Sequence, residues 1–244
     1  MPSRRRRGRP LQAAGYDGRV SAVQPTDQPA LGPRLREATR VLHTEVERAG
    51  VMRRLLRGQL DAAGYCLLLR NLHAVYEVLE AALQLSTTPA LQQLVPPVLW
   101  RAPALQQDLL VLHGSAWRDD LPLAPAALAY VQRLHDLAHG EEQGQPQLLA
   151  AHAYVRYLGD LNGGQMLARL VAPALQLHGV QGQGLAFYSF AGALSVIDLQ
   201  TAFRQALDLQ ASSEDQMQVM VLEACSAFER HRELFEQLDV LLGS

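Results

Sequence analysis

The chain has 244 residues, 48% of them hydrophobic and 19% charged, and its 22 basic and 24 acidic residues leave a formal charge of −2. That balance excludes wholesale disorder, a collagen-like fibre and a multi-span membrane protein, and it is enough for one sizeable core. Two cysteines, Cys66 and Cys225, are too few for a disulfide framework or a thiolate metal cluster, which points to a reducing, cytoplasmic setting.

Charge is unevenly placed. Every basic residue is an arginine, and five of them (Arg4, Arg5, Arg6, Arg7 and Arg9) crowd the first ten positions with no acid among them. Such an arm suits contact with nucleic acid or an acidic membrane, and it equally suits a solvated tail. The acidic remainder argues against nucleic acid as the main partner. No apolar stretch follows the arginines as a secretory signal requires, and no run elsewhere is long enough to cross a bilayer.

From Pro10 to Pro33 the sequence is rich in Gly, Pro, Gln and Asp without a sustained period, so residues 1–32 read as a flexible tail and 33–244 as one domain. Beyond Pro33, Leu, Ala, Gln, Glu and Arg dominate, Ile197 is the only isoleucine, and apolar positions recur at helical spacing. The expected fold class is all-α, a single compact multi-helix domain without internal repeats. A first helix is expected from Pro33, a good first-turn residue, to Arg48, with Leu35, Ala38, Leu42, Val46 and Ala49 as its apolar stripe. A turn over Met52–Arg57 should close at Gly58. Asp61 should then cap a long helix reaching Leu85. Pro89, Pro96, Pro97 and Pro103 break the next stretch into short pieces. Helices follow over Ala104–His113, Pro125–His139, Pro146–Leu177, Ala193–Leu209 and Ser213–Leu242.

The segment Pro146–Leu177 carries an anomaly. Gly159, Gly163 and Gly164 sit inside a helical pattern, each costing about 1 kcal/mol against alanine. Gly159 and Gly163, four apart, share one face. A kink or a close helix crossing is one compensation. The other is bare backbone lying against a flat ligand, with Asp160 beside it.

Histidines supply the second anomaly. His113, His139 and His178 stand beside glycines at helix ends, where capping suffices. His73, His135, His152 and His231 are packed or surface residues by default. His43 adjoins an apolar stripe, and Glu47 follows one turn later on the same face. A carboxylate there can hold the Nδ1 hydrogen and leave Nε2 free for a metal; a surface ion pair is the plainer alternative. There is no His-Glu-x-x-His, Cys-x-x-Cys-His, Gly-x-Ser-x-Gly or Walker loop, and no pair of Glu-x-x-His helices for a di-iron bundle. One histidine facing open coordination is a haem arrangement.

Two segments carry a resemblance: Leu35-Arg36-Glu37-Ala38-Thr39-Arg40-Val41-Leu42-His43-Thr44 and Ala151-His152-Ala153-Tyr154-Val155-Arg156-Tyr157-Leu158-Gly159-Asp160-Leu161-Asn162-Gly163-Gly164-Gln165. Both resemble the signature segments of haem oxygenases. The similarity runs from about Pro33 to Leu242 and includes Gly184-Leu185-Ala186-Phe187-Tyr188 and Ala227-Phe228. It implies haem b, as substrate and cofactor, held between a proximal helix and a glycine-kinked distal helix.

By that resemblance His43 is the proximal iron ligand and Glu47 its partner, while Gly159, Gly163 and Gly164 line the distal face. Asp160 would hold water beside iron-bound oxygen, supported by Tyr76 and Arg156. Arg36, Tyr154 and Arg204 would meet the propionates, and Phe228 would join the pocket. The implied reaction uses O2 and electrons from a ferredoxin, flavodoxin or flavoprotein reductase. A ferric hydroperoxide hydroxylates a meso carbon, α expected, and the ring opens to biliverdin, carbon monoxide and ferrous iron. A distal carboxylate working through water favours that course over scission of the peroxide.

The sequence also departs from the family. A lysine often found among the propionate contacts corresponds to Gln200, which would loosen the haem seat; Arg36 replaces another lysine. His231 stands where a smaller polar residue is common. The membrane anchor of animal members is missing, so the chain is similar to the soluble bacterial type. A haem carrier or sensor without turnover, and a helical adaptor without haem, are the rival readings.

Overall fold

The computed structural model describes residues 30–139, 145–175, 183–190 and 194–243. Among them the regular structure is entirely helical. In chain order the helices are α1 (Leu31–Arg48), α2 (Gly50–Leu56), α3 (Ala62–Leu85), α4 (Pro89–Leu94), α5 (Ala102–Leu112), α6 (Trp117–Asp120), α7 (Pro125–His139), α8 (Leu149–Ala153), α9 (Gly159–Ala174), α10 (Val196–Asp208) and α11 (Glu214–Leu241). Between α8 and α9 lies a π-helical turn, Tyr154–Leu158. Single 3-10 turns occupy Pro97–Leu99, Pro146–Leu148 and Ala186–Tyr188.

α1 begins at Leu31, two residues before the expected start at Pro33. Leu31 is already buried and helical. The Gly32 amide donates to Asp208 Oδ1 at 2.8 Å, so a distant carboxylate on α10 anchors the opening turn. Pro33 falls at the third position, where its missing N–H is still one the helix cannot use. The Arg-rich segment lies outside the described residues, as do His178 and Ala193.

Local signals placed several ends correctly. Asp61 accepts from the Gly64 amide at 2.8 Å and caps α3, which runs to Leu85. Ser213 caps α11 in the same way. α2 replaces the expected turn and closes toward Gly58, whose φ of +64° suits glycine. Gly50 has a different reason to be glycine. A Cβ there would lie 2.0 Å from the Phe235 carbonyl oxygen, because α1 and α2 break where they cross α11.

Two long helices organise the core. α3 packs on α5 and α7 and is buried along most of its length, and α11 packs on α1, α2, α7 and α8. Fully buried leucines such as Leu35, Leu69, Leu79, Leu134 and Leu234 interlock them, each contributing on the order of 2 kcal/mol. The short α6 carries Trp117 into this core against the His73 ring. What this packing achieves for function is orientation: α1 and the π turn with α9 are each held from behind, by α11 and by α3 with the 186–188 turn.

Candidate active site

His43 projects from α1 with more than half of its side chain exposed. Its Nδ1 faces Glu47 Oε1 at 3.6 Å, and Phe228 of α11 meets the ring edge-on at 5.9 Å. The i,i+4 spacing brings the carboxylate over the imidazole, and the aromatic edge restrains its rotation. Nε2 is left pointing away from Glu47.

A second segment of interest lies where the helix changes its winding. The π turn precedes Gly159 directly, so the backbone is rewound immediately before the glycines. Among the described residues, a Cβ added at Gly159 or Gly163 would meet nothing within 4 Å. Neither glycine is demanded by packing against those residues. Gly164, one position around the helix, behaves differently: it is buried, and its Cβ would touch Tyr188 Cδ1 at 3.7 Å.

Asp160 stands between those glycines and is tied down from two sides. The Tyr76 hydroxyl donates to its Oδ2, and Arg156 Nη2 lies 3.3 Å from Oδ1. Arg156 Nε also donates to the Tyr76 oxygen at 2.9 Å, with its guanidinium 4.9 Å above the ring centre. Burial pushes the Asp160 carboxyl up, and Arg156, the Tyr76 hydrogen bond and Arg101 pull it part of the way back. Burial likewise opposes the charge on Arg156, yet Tyr76 and Asp160 outweigh it and raise its pKa. The result is a rigid carboxylate that holds a proton more readily than a surface aspartate.

A third group gathers around Tyr154. Its phenol oxygen is hydrogen-bonded to Thr39 Oγ1 at 3.2 Å, which links the π turn to α1. Burial pushes this phenol up, while the positive fields of Arg36 and Arg204 work against that shift. Three elements distant in sequence thus bring two guanidinium groups toward one hydroxyl. Both arginines are exposed, and neither forms an ion pair with a described residue. Gln200 is committed elsewhere, donating to Leu161 O at 3.0 Å and Asn162 Oδ1 at 2.9 Å, so it braces α10 against α9.

Behind the π turn runs a buried polar chain that sequence reasoning passed over. The Tyr130 hydroxyl donates to His152 Nδ1 at 2.9 Å, and His152 Nε2 donates to Glu223 Oε1 at 2.9 Å. Arg133 grips Glu223 through both Nε and Nη2. Burial alone would raise the Glu223 carboxyl, but His152 and Arg133 together bring it down to about 2. His231 packs against the Tyr130 ring and donates Nδ1–H to Ala227 O at 2.9 Å; its Nε2 has no described partner. Glu80, Arg101 and Tyr157 form a second such cluster. One signal was available for Glu80: it is an acid on the side of α3 that also carries Tyr76, Leu79 and Leu83, in a largely apolar stretch.

An exposed imidazole thus stands on α1, and bare backbone with a buried carboxylate stands on α9. Comparison with known proteins identifies the family. The family model described as "Heme oxygenase" matches residues 30–237. "Heme oxygenase 1" of Homo sapiens is 36% identical over 222 residues, covering 90% of this chain and 75% of that protein. "Heme oxygenase 1" of Nostoc sp. is 36% identical over 210 residues, 86% of each chain. The crystal structure of heme oxygenase-1 from the cyanobacterium Synechocystis sp., in complex with heme, superposes with a TM-score of 0.79 at 33% identity, covering 88% of this chain and 94% of that one. The chain belongs to the haem oxygenase family, enzymes for which haem is both substrate and cofactor. No helix among the described residues is long and apolar enough to cross a membrane.

Proposed function

We propose that this chain cleaves haem oxidatively at the α-meso carbon, yielding biliverdin, carbon monoxide and ferrous iron, with O2 and electrons from a ferredoxin, flavodoxin or flavoprotein reductase. The observation that carries the reading is the pair Gly159 and Gly163, two interior helix glycines with open space where their side chains would be. Helix propensity penalises them and packing does not require them, so a ligand that needs close approach to backbone is their reason. The donor set fits haem: one imidazole with a carboxylate beside it, and two exposed guanidinium groups with a phenol for two propionates.

Bound haem supplies the iron at which dioxygen is reduced and the macrocycle that is opened. His43 Nε2 would ligate the iron, while Glu47, 3.6 Å from Nδ1, would favour the hydrogen on that nitrogen. The Gly159 and Gly163 backbone would line the haem site with no side chain between helix and ligand. Asp160 would hold water through its carboxylate and pass a proton from Oδ, with Tyr76 and Arg156 fixing where that carboxylate points. Working through water, the carboxylate keeps its charge off the reacting oxygen. Arg36, Arg204 and Tyr154 would fix the in-plane orientation of the ring and hence which meso carbon is presented. Phe228 would flank the proximal side.

Haem titration followed by a single turnover with O2 and reductant tests the reading, with products separated by chromatography. The parent protein should gain a Soret band, lose it on turnover and give the α isomer of biliverdin. His43→Ala should abolish turnover, with partial rescue by added imidazole. A stable spectrum under reductant and O2 would make the protein a carrier, and unchanged turnover in His43→Ala would remove that residue as ligand.

A further inference from the structure

A π turn has poorer hydrogen-bond geometry than an α turn and persists only where something outside the helix holds it. Three side chains of the turn Tyr154–Leu158 are held from outside it: Tyr154 by Thr39, Arg156 by Tyr76, and the fully buried Tyr157, which donates its hydroxyl to Glu80 Oε1 at 2.9 Å. Glu80 is itself buried in α3 and is held from its other side by the start of α5. The Arg101 amide donates to Oε1, and the Ala102 amide to both oxygens at 3.2 and 3.3 Å. A negative charge is favourable at that helix end. The Arg101 side chain is occupied with the carbonyls of Leu99, Phe187 and Ser189. Tyr157 is therefore the side-chain donor that Glu80 receives, and it belongs to the turn.

Two consequences reach Asp160. Relaxing the π turn to an α turn would rotate everything after it by roughly 100° relative to what precedes it, the angle of one residue. That rotation would carry Asp160 away from the Tyr76 hydroxyl. Tyr157 also packs edge-on against the Tyr76 ring, with centres 5.7 Å apart, so it steadies Tyr76 directly.

We propose that Glu80 is a positioning residue for the distal acid: by fixing Tyr157 it keeps the π turn wound and sets the rotation at which Gly159 and Asp160 face the open side. The role assigned to Asp160 rests on the reading above, whereas the hold on the turn does not. The test compares the full chain with Tyr157→Phe, which keeps the ring and removes the hydrogen bond, and with Glu80→Gln. Amide hydrogen exchange across 154–162, measured without haem, should quicken about tenfold in Tyr157→Phe, with α11 unchanged. In the haem-loaded protein the pH midpoint of the ferric absorption change should move while haem affinity holds.

Glu80→Gln should shift both readouts in the same direction; if it fails to fold, Tyr157→Phe decides alone. Parent-like exchange in Tyr157→Phe overturns the proposal. So does faster exchange with an unmoved midpoint, since the hold on the turn would then not reach Asp160. Failure of the parent chain to bind haem would defeat the proposed function, while the exchange comparison would still judge the grip on the turn.

Discussion

Gly163→Ala separates the stability of this fold from its chemistry. Gly163 lies inside α9, its backbone is not among the positive-φ positions, and an added Cβ meets no atom of the described residues within 4 Å. Nothing among those residues therefore opposes alanine, and helix propensity favours it by about 1 kcal/mol. For a domain of this size that raises the midpoint of thermal unfolding by about 2–4 °C. If the open space is where haem lies, the same methyl group intrudes on the ring and displaces it. A displacement approaching 1 Å costs turnover on the order of tenfold or more. The assay is differential: calorimetry on the haem-free protein, then biliverdin yield per electron pair on the loaded one. Gly50→Ala is the control, because its Cβ would meet the Phe235 carbonyl at 2.0 Å and φ is positive; it should be strongly destabilised. A Gly163→Ala protein that loses stability, or that keeps parent yield, would refute the argument that a ligand explains the glycine.

Two further outcomes follow from the buried charges. Asp160→Ala should retain haem, since His43 and the arginines are untouched, yet lose most biliverdin and consume reductant without product; a parent-level yield would exclude the proton-handling role. Glu223 titrates at about 2 in the folded protein against 4.5 ordinarily, so as pH falls the unfolded chain takes up the proton first. Its stabilisation is present in full above about pH 4.5 and fades as pH drops toward 2. Glu223→Gln should cost about 3 kcal/mol at neutral pH, by leaving Arg133 and His152 poorly paired, and should flatten that part of the acid limb. Denaturant melts from pH 7 to pH 3 check both, and an unchanged slope would show that the buried chain carries no linkage.

What was legible in the sequence was local. Asp61 and Ser213 could be read as caps because the amides they satisfy lie three residues away. The prolines at 89, 97 and 103 announced short helices for the same reason. The glycines at 159 and 163 were visible as a violation of helix propensity, and a violation without local purpose points to function. His43 with Glu47 was visible because one helical turn brings them together.

The remaining features depend on partners far along the chain. The first turn of α1 needs Asp208, Gly50 needs Phe235, and no pattern around either residue foretells it. The π turn could not be inferred from Tyr154–Leu158, since a run of ordinary helix formers leaves its winding to whatever grips it. Part of that grip comes from Glu80 on α3.

Composition and period by themselves determined an all-helical domain, and the run from Tyr154 to Gln165 determined which family it joins. Tertiary structure decided where the charges lie: Tyr76, Arg156 and Asp160 locked together, Arg36 and Arg204 brought within electrostatic reach of Tyr154, and Gln200 diverted to brace α9. The reason is range. Helix periodicity and capping are satisfied within a few residues, whereas a buried polar group must find its partner wherever packing brings one.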